Sequence, residues 1–298
     1  MAKTAATSAT HRAFSAPSVA SATPAASGNN VLAQLLARAR PLVMGVLNVT
    51  PDSFSDGGRF LHAPAALDHA RRLIAEGADI LDVGAESTRP YGGALPVSLE
   101  EERERLAPIL PGVVALGIPV SIDTLKAAVA AWALEAGATI VNDVWGLQRD
   151  PDMARVVAAH GAPVILMHNR ETADPTIDII ADVTEYFSRS LEIAWRAGIP
   201  HDRIVLDPGI GFGKTPEQSM TCIAKLDKFR GFDLPLLVGA SRKRFINSVT
   251  PSEPMGRLGG SLAAHVVAVE NGAAIIRAHD VAPTVQALAV AAAIRRAR

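Results

Sequence analysis

Residues able to bind, ionise or donate close a series of short apolar runs along this chain: Asn48, Asp82, Asp123, Asn142 with Asp143, His168, Asp207, Ser241 to Lys243, and Arg277 with His279. Asp123, Asn142 and Asp207 offer acceptors and an amide, a set suited to a planar heterocycle bearing several N–H donors. Lys243, Arg277 and His279 offer donors suited to a carbonyl and to an anion such as phosphate. Asn48 is a neutral oxygen ligand of the kind that completes the shell of a Mg²⁺ already held by a diphosphate. The chain contains no H-E-x-x-H, no cysteine pair and no G-x-S-x-G elbow, which removes zinc hydrolysis and a serine nucleophile from consideration. Lys243, flanked by Arg242 and Arg244, is the one candidate for covalent amine chemistry. A chain that needed only to fold could end these runs in Ser, Gly or Thr; polar groups after every one describe a site.

The runs are LVMGVLNV (42–49), ADILDVG (78–84), IPVSIDT (118–124), ATIVNDV (138–144), PVILMH (163–168), RIVLDPG (203–209), PLLVGAS (235–241) and AAIIRAHD (273–280). Each is short, apolar and rich in β-branched residues, as in strands buried on both faces. Stretches of helical period separate them. In PAALDHARRLIAEGAD, Leu67, Ala70, Leu73 and Ile74 share a face and Gly77 ends the helix, while Ser98 with Glu101 and Glu102 opens another. This alternation implies parallel strands joined by helical crossovers. The expected fold class is α/β, a single-domain (β/α)8 TIM barrel over residues 41–298, with chemistry on the loops after the carboxyl ends of the strands. An open doubly wound sheet is the alternative, but it calls for a glycine-rich turn after the first strand, where this chain reads NVTPDSF.

PGIGFGKT (208–215) follows a strand and looks like a phosphate-binding loop, yet that motif needs Gly where Pro208 stands. Gly209, Gly211 and Gly213 are expected instead to let the backbone turn sharply and approach a ligand, with Phe212 as an aromatic wall. The loops Thr50 to Phe60 and Glu86 to Ala94 have the polar, glycine-ended composition of lids.

Composition narrows the class. Of 298 residues 49% are apolar, and 29 Lys plus Arg against 30 Asp plus Glu give a net charge of −1. That balance gives no electrostatic case for a nucleic-acid or membrane-surface protein, both of which need a concentrated basic face. The apolar runs are too short to span a bilayer. A single cysteine, Cys222, excludes an internal disulfide and suits a reducing, cytoplasmic setting. Residues 1–40 are rich in Ala, Ser, Thr and Pro, with no acidic residue before Asp52. They are expected to be a low-complexity disordered extension rather than a transit peptide, because basic residues are sparse.

The strings MGVLNVTPDSFSDGGRF, DVGAESTRP, SIDT, NDVWG, LMHNR, DPGIGFGK, GASRKRFI and RAHDV, from about Pro41 to the end, together resemble the dihydropteroate synthase family. The resemblance implies a barrel that joins 6-hydroxymethyl-7,8-dihydropterin diphosphate to 4-aminobenzoate, giving dihydropteroate and pyrophosphate. It implies Asn48 as ligand of a Mg²⁺ on the diphosphate, and Asp123, Asn142, Asp207 and Lys243 as pterin contacts. Arg277 and His279 resemble a diphosphate anchor. Thr88, Arg89, Pro90, Phe212 and the segment Ser241 to Arg244 resemble an aminobenzoate pocket, and Asp56 with Arg89 a pair that orders the lids. The reaction implied is S_N1-like, with Asp123, Asp207, Lys243, Arg277, Asp56 and Arg89 carrying it. The loop after the fifth run, MHNRETADPTIDII, departs from the family pattern. A homodimer is expected from the family and from the small apolar residues of the last two helices. The alternatives are a corrinoid-type pterin-binding methyltransferase and a non-catalytic pterin-binding relative.

Overall fold

The computed structural model describes residues 30–38, 40–49, 62–86 and 97–297. Eight strands pair in parallel and in chain order, and the last closes on the first. They are β1 (Leu42–Asn48), β2 (Ile80–Gly84), β3 (Val120–Asp123), β4 (Ile140–Asp143), β5 (Val164–Met167), β6 (Ile204–Asp207), β7 (Leu236–Val238) and β8 (Ala273–Ala278). The expected (β/α)8 barrel is therefore the fold. Its outer layer includes α2 (His62–Ala75), α3 (Leu99–Leu106), α5 (Ala127–Glu135), α6 (Met153–His160), α7 (Ile179–Arg196), α8 (Pro216–Ala224), α10 (Leu258–Glu270) and α11 (Val281–Arg296). Between α3 and α5 lies the short α4 (Leu110–Val114), and before α10 lies α9 (Arg244–Val249).

Alternation along the strands divides the protein into two cores. Leu81, Val83, Ile122, Val141, Leu166, Leu206, Val238 and Ile276 face the helices. Leu42, Met44, Ile80, Ile140, Ile165, Val205, Leu237 and Ile275 face inward and fill the lower barrel. Because the side-chain period is two, the next inward positions up the same strands are Val46, Asp82, Asn142, Met167, Asp207, Gly239 and Arg277, with Asn48 and Asp123 on the same phase. Apolar residues thus seal the floor, and the polar set is confined to the end where the strands finish.

Part of the segment expected to be disordered belongs to the fold. Residues 31–36 form α1 (Val31–Leu36), whose Leu32 and Leu35 are only 1% and 2% exposed against the inward lower layer. Asn30 caps it by accepting the Ala33 N–H, and Arg38 and Arg40 both bond the buried Asp79 carboxylate, which also accepts the Val43 N–H. The reading by composition failed here because the apolar VLAQLL sits in a polar surround too short for periodicity to show. At the helix ends, Ser98 accepts the Glu101 N–H, but the Glu101 carboxylate pairs with Arg105 instead of completing a box. The reciprocal box is at α8, between Thr215 and Gln218.

Leu35→Ala should lower unfolding stability by about 2–4 kcal/mol, as emptying a packed leucine site does. Urea denaturation measures it, and turnover should stay within about twofold because this end is remote from the polar mouth.

Candidate active site

The centre of the mouth is a hydrogen-bonded cluster drawn from four strands. Arg277 on β8 donates from Nε to Asp82 Oδ2 at 2.6 Å and from Nη2 to Asp123 Oδ2 at 2.8 Å. Asn142 on β4 donates its amide to the same Asp82 oxygen at 3.2 Å. Asp82, Asp123 and Asn142 are all buried, and Arg277 is 20% exposed at the side chain. The pairing leaves acceptors over: Asp82 Oδ1, Asp123 Oδ1, Asn142 Oδ1 and Ser121 Oγ are buried without a hydrogen-bond partner. Each such orphan costs about 1–3 kcal/mol, so a row of them on adjacent strands marks where a ligand supplies N–H donors.

Asp207 closes the floor from β6. Its Oδ1 accepts the Gly209 N–H at 2.8 Å, and Lys243, Lys214 and Arg277 lie within electrostatic reach. Burial pushes its carboxyl up to about 6, with the Gly209 N–H and these cations opposing the rise. Asp123 is pushed up to about 7 by burial and by the neighbouring charge of Asp82, against the pull of Arg277. Burial disfavours the charge of Arg277, but Asp82 and Asp123 outweigh it and hold the guanidinium firmly protonated.

Above this floor, Lys243 Nζ sits 4.1 Å from the centroid of the Phe212 ring, joining the loops after β6 and β7. Ser241 Oγ accepts the His279 N–H and bonds His279 Nδ1 at 3.1 Å, joining the loops after β7 and β8. Arg242 repeats that link with a two-pronged pair to Asp280. Its backbone is in the left-handed region, φ 58°, held by the Ser261 hydroxyl on its N–H and by Arg257 on its carbonyl. Arg244 opens the six-residue α9 directly after this segment.

Of the residues expected to form a site, Asn48, Asp123, Asn142, Asp207, Phe212, Ser241, Lys243, Arg244, Arg277 and His279 fall at this one end. Asp56, Thr88, Arg89 and Pro90 lie outside the described residues. Two polar strand ends belong to the scaffold. Asp143 is on the outward phase and accepts the N–H groups of Trp145 and Leu147; the buried His168 bonds Asp182 and Lys214. Arg277, expected in a diphosphate anchor, also bonds Asp82 and Asp123 at the floor. Asp82 and Ser121 were not singled out as ligand contacts, although both sit on the inward phase one step above an apolar layer.

Closed parallel strands, a sealed apolar floor and a mouth of unsatisfied acceptors beside a bridging guanidinium define a barrel enzyme that binds a flat, N–H-rich ligand. The family described as pterin binding enzyme matches residues 44–279. The Bacillus subtilis dihydropteroate synthase is 46% identical over 81% of this chain and 84% of its own length, and the Escherichia coli one 43% over 87% and 93%. Among solved structures, the Clostridium difficile dihydropteroate synthase determined in the presence of pteroic acid superposes with a TM-score of 0.83 at 43% identity, covering 86% of this chain and 97% of that one. The Xanthomonas albilineans enzyme with 4-aminobenzoic acid gives 0.82 at 44% identity, covering 86% and 93%. The chain belongs to the dihydropteroate synthases, transferases of folate synthesis.

The raised carboxyls set a pH dependence. A carboxyl whose folded pKa exceeds its unfolded value binds more protons when folded, so stability falls as pH rises from about 4 to about 7. The ligand-free protein should be less stable at pH 7.5 than at pH 5 by on the order of 1–3 kcal/mol from these two groups. Asp123→Asn should flatten that slope in urea titrations at the two pH values.

Proposed function

We propose that the mouth cluster binds the pterin ring of 6-hydroxymethyl-7,8-dihydropterin diphosphate and that the neighbouring loops present 4-aminobenzoate to it. The observation that carries this is the row of buried, unpartnered oxygens on Asp82, Ser121, Asp123 and Asn142. A pterin edge carries ring N–H and amino donors that satisfy such a row in one plane. Asn142 can turn its amide to either type of ring atom, and Lys243 reaches a ring carbonyl while packing on Phe212.

The C–O bond to diphosphate breaks with its electron pair leaving on pyrophosphate. The positive charge left on the pterin methylene spreads into the ring, where the Asp123 and Asp207 carboxylates stabilise it. The aryl amine lone pair then forms the new C–N bond and the nitrogen loses a proton to solvent. A weakly basic amine attacking a cation needs no strong base, consistent with the scaffold role of the buried His168. His279 and Arg277 are assigned to the departing anion in this reading. The residues outside the described set, Asp56 and Arg89, are assigned to ordering the lids, and Thr88 and Pro90 to the aminobenzoate pocket with Phe212, Ser241 and Arg244.

Mg²⁺ fits the donor set. Among the described residues no group of three His, Cys, Asp or Glu stands together as a metal cage. Asn48, half-buried and on the inward phase of β1, offers one neutral oxygen to an ion that arrives with a diphosphate. When bound, the ion supplies charge neutralisation on the leaving group.

We also place the protein in the cytoplasm as a homodimer. Cys222 is a buried free thiol, and no described helix is long and apolar enough to cross a membrane. Val267 on α10 with Val290 and Ile294 on α11 are exposed apolar residues on helices that pack side by side, a face suited to a second copy. Sedimentation should give a species of twice the 31.2 kDa chain mass.

Mixing the protein with both substrates and Mg²⁺ should release pyrophosphate, and excess chelator should stop it. Arg277→Ala should lower kcat/KM by at least about 100-fold, as loss of a charge-assisted contact at the reacting end does. It should also destabilise the fold, since two buried carboxylates lose their partner. Wild-type kcat/KM in that variant would remove Arg277 from the reaction. Methyl transfer from a folate to a corrinoid in place of pyrophosphate release would favour the methyltransferase reading.

A further inference from the structure

The loop after β6 is wound around a buried cation. Lys214, 2% exposed, donates from Nζ to the Gly209 carbonyl at 3.0 Å, to the Phe212 carbonyl at 3.1 Å and to His168 Nδ1 at 2.6 Å. That uses the three donors of an ammonium. Since Nδ1 accepts, the His168 proton is on Nε2, which donates to Asp182 Oδ2 at 2.9 Å. Asp182 in turn holds Arg170. Gly209 has φ +66°, and a Cβ there would stand 2.0 Å from the His168 carbonyl oxygen; one on Gly213, φ +51°, would meet Arg170 at 2.4 Å. The glycines therefore permit a spiral whose carbonyls converge on the chain's own lysine. A phosphate loop does the reverse, turning its N–H groups inward to an anion.

Both groups held by this spiral face the site. Gly209 is engaged at both of its backbone polar groups: its carbonyl accepts from Lys214 while its N–H donates to Asp207 Oδ1. The Phe212 carbonyl also accepts from Lys214, and the Phe212 ring carries the Lys243 ammonium on its face. We infer that Lys214 is a positioning residue of the reaction, fixing the Asp207 carboxylate and the Phe212 ring in the ligand-binding geometry through the Gly209 and Phe212 peptides. This rests on the reading of Asp207 and Phe212 as ligand contacts given above.

The charge of Lys214 is itself weakened by its surroundings. Burial lowers its pKa to about 8, with Cys222, Asp207 and Asp182 raising it and Arg170 lowering it further. His168 is driven down to about 3, chiefly by burial and by Lys214, and so stays neutral as the acceptor. Loss of the ammonium proton removes one of the three donors and frees one of the two carbonyls or the imidazole.

Pteroic acid, which spans both halves of the site, is the probe, titrated calorimetrically against the full chain. Lys214→Met should weaken its binding at neutral pH at least about tenfold, the loss of a charged-donor contact. Binding within about twofold of wild type in folded K214M overturns the inference. A purely structural lysine would lower Tm and leave the affinity of the folded fraction unmoved. Should K214M not fold, Asp182→Asn decides the matter through the pH profile. Removing that carboxylate lowers the Lys214 pKa, so the alkaline fall in affinity should move down by about half a pH unit or more. An unmoved midpoint overturns the inference. Asp207→Asn is the reference: if it too binds pteroic acid unchanged, the reading of the site fails, whereas weak binding by D207N with normal binding by K214M sinks only the role of Lys214.

Discussion

One guanidinium shared by two carboxylates inside the barrel is the constraint on which this architecture turns. Arg277 reaches Asp82 on β2 and Asp123 on β3 from β8, crossing the mouth. Burying a guanidinium between two carboxyls carries a desolvation cost that their attraction only partly recovers, so this cluster is a poor device for stability. It persists because the layers around it supply the stability: an inward apolar floor below and a continuous apolar shell between strands and helices. What the cluster gives in return is a rigid set of acceptors in which Asp82 Oδ1, Asp123 Oδ1 and Asn142 Oδ1 are left without a partner.

The floor explains why the polar set can be so close to the axis without flooding the barrel. Layers of Leu, Ile and Val from the lower strand positions block access from the amino-terminal end, and α1 covers them with Leu32 and Leu35. Asp79 draws Arg38 and Arg40 onto the bottom rim and fixes the entry to β1 through the Val43 N–H. Water and ligand can therefore reach Asp123 and Arg277 from one side alone. The chemistry is placed by a parity rule: each inward residue near a strand's carboxyl end faces the mouth, and each outward one faces a helix.

Parity also decides what could be read before the structure. The eight strands were legible because continuous apolar runs cannot be mistaken for amphipathic helices when glycine and proline bound them. Asp123, Asn142, Asp207 and Arg277 were legible as polar ends of those runs. Asp143 and His168 look identical to them in sequence, and only the side of the strand separates a ligand contact from a turn anchor. Counting in twos from an apolar inward residue would have added Ser121 to the inward set with Asp82 and put Asp143 outside it. Helix α1 was hidden by its neighbours in sequence, since its two leucines acquire meaning only from the barrel end they cover. Lys214 was hidden by a different ambiguity, because a glycine-rich strand-to-helix turn ending in lysine fits both an anion cradle and a cation coil.

The same geometry accounts for the sense of the proposed electrostatics. Asp82, Asp123 and Asp207 stand against Arg277 and Lys243 around the mouth, with burial raising two of the carboxyls toward neutrality. Burial and the neighbouring charge of Asp82 favour a proton on Asp123. A ligand presenting N–H donors satisfies the orphan oxygens and lowers the cost of their charge, so binding draws the carboxylates into their ionised form. In the proposed reaction these carboxylates stand beside the positive charge that develops as pyrophosphate leaves. Stabilisation of the cation exceeds that of the neutral ring, because the same fixed oxygens that merely hydrogen-bond the substrate meet full charge in the transition state. The donors of Arg277 hold Asp82 and Asp123 in place, and in the proposed reaction that immobility, which keeps the carboxylates from turning away to water, is the contribution of the buried guanidinium.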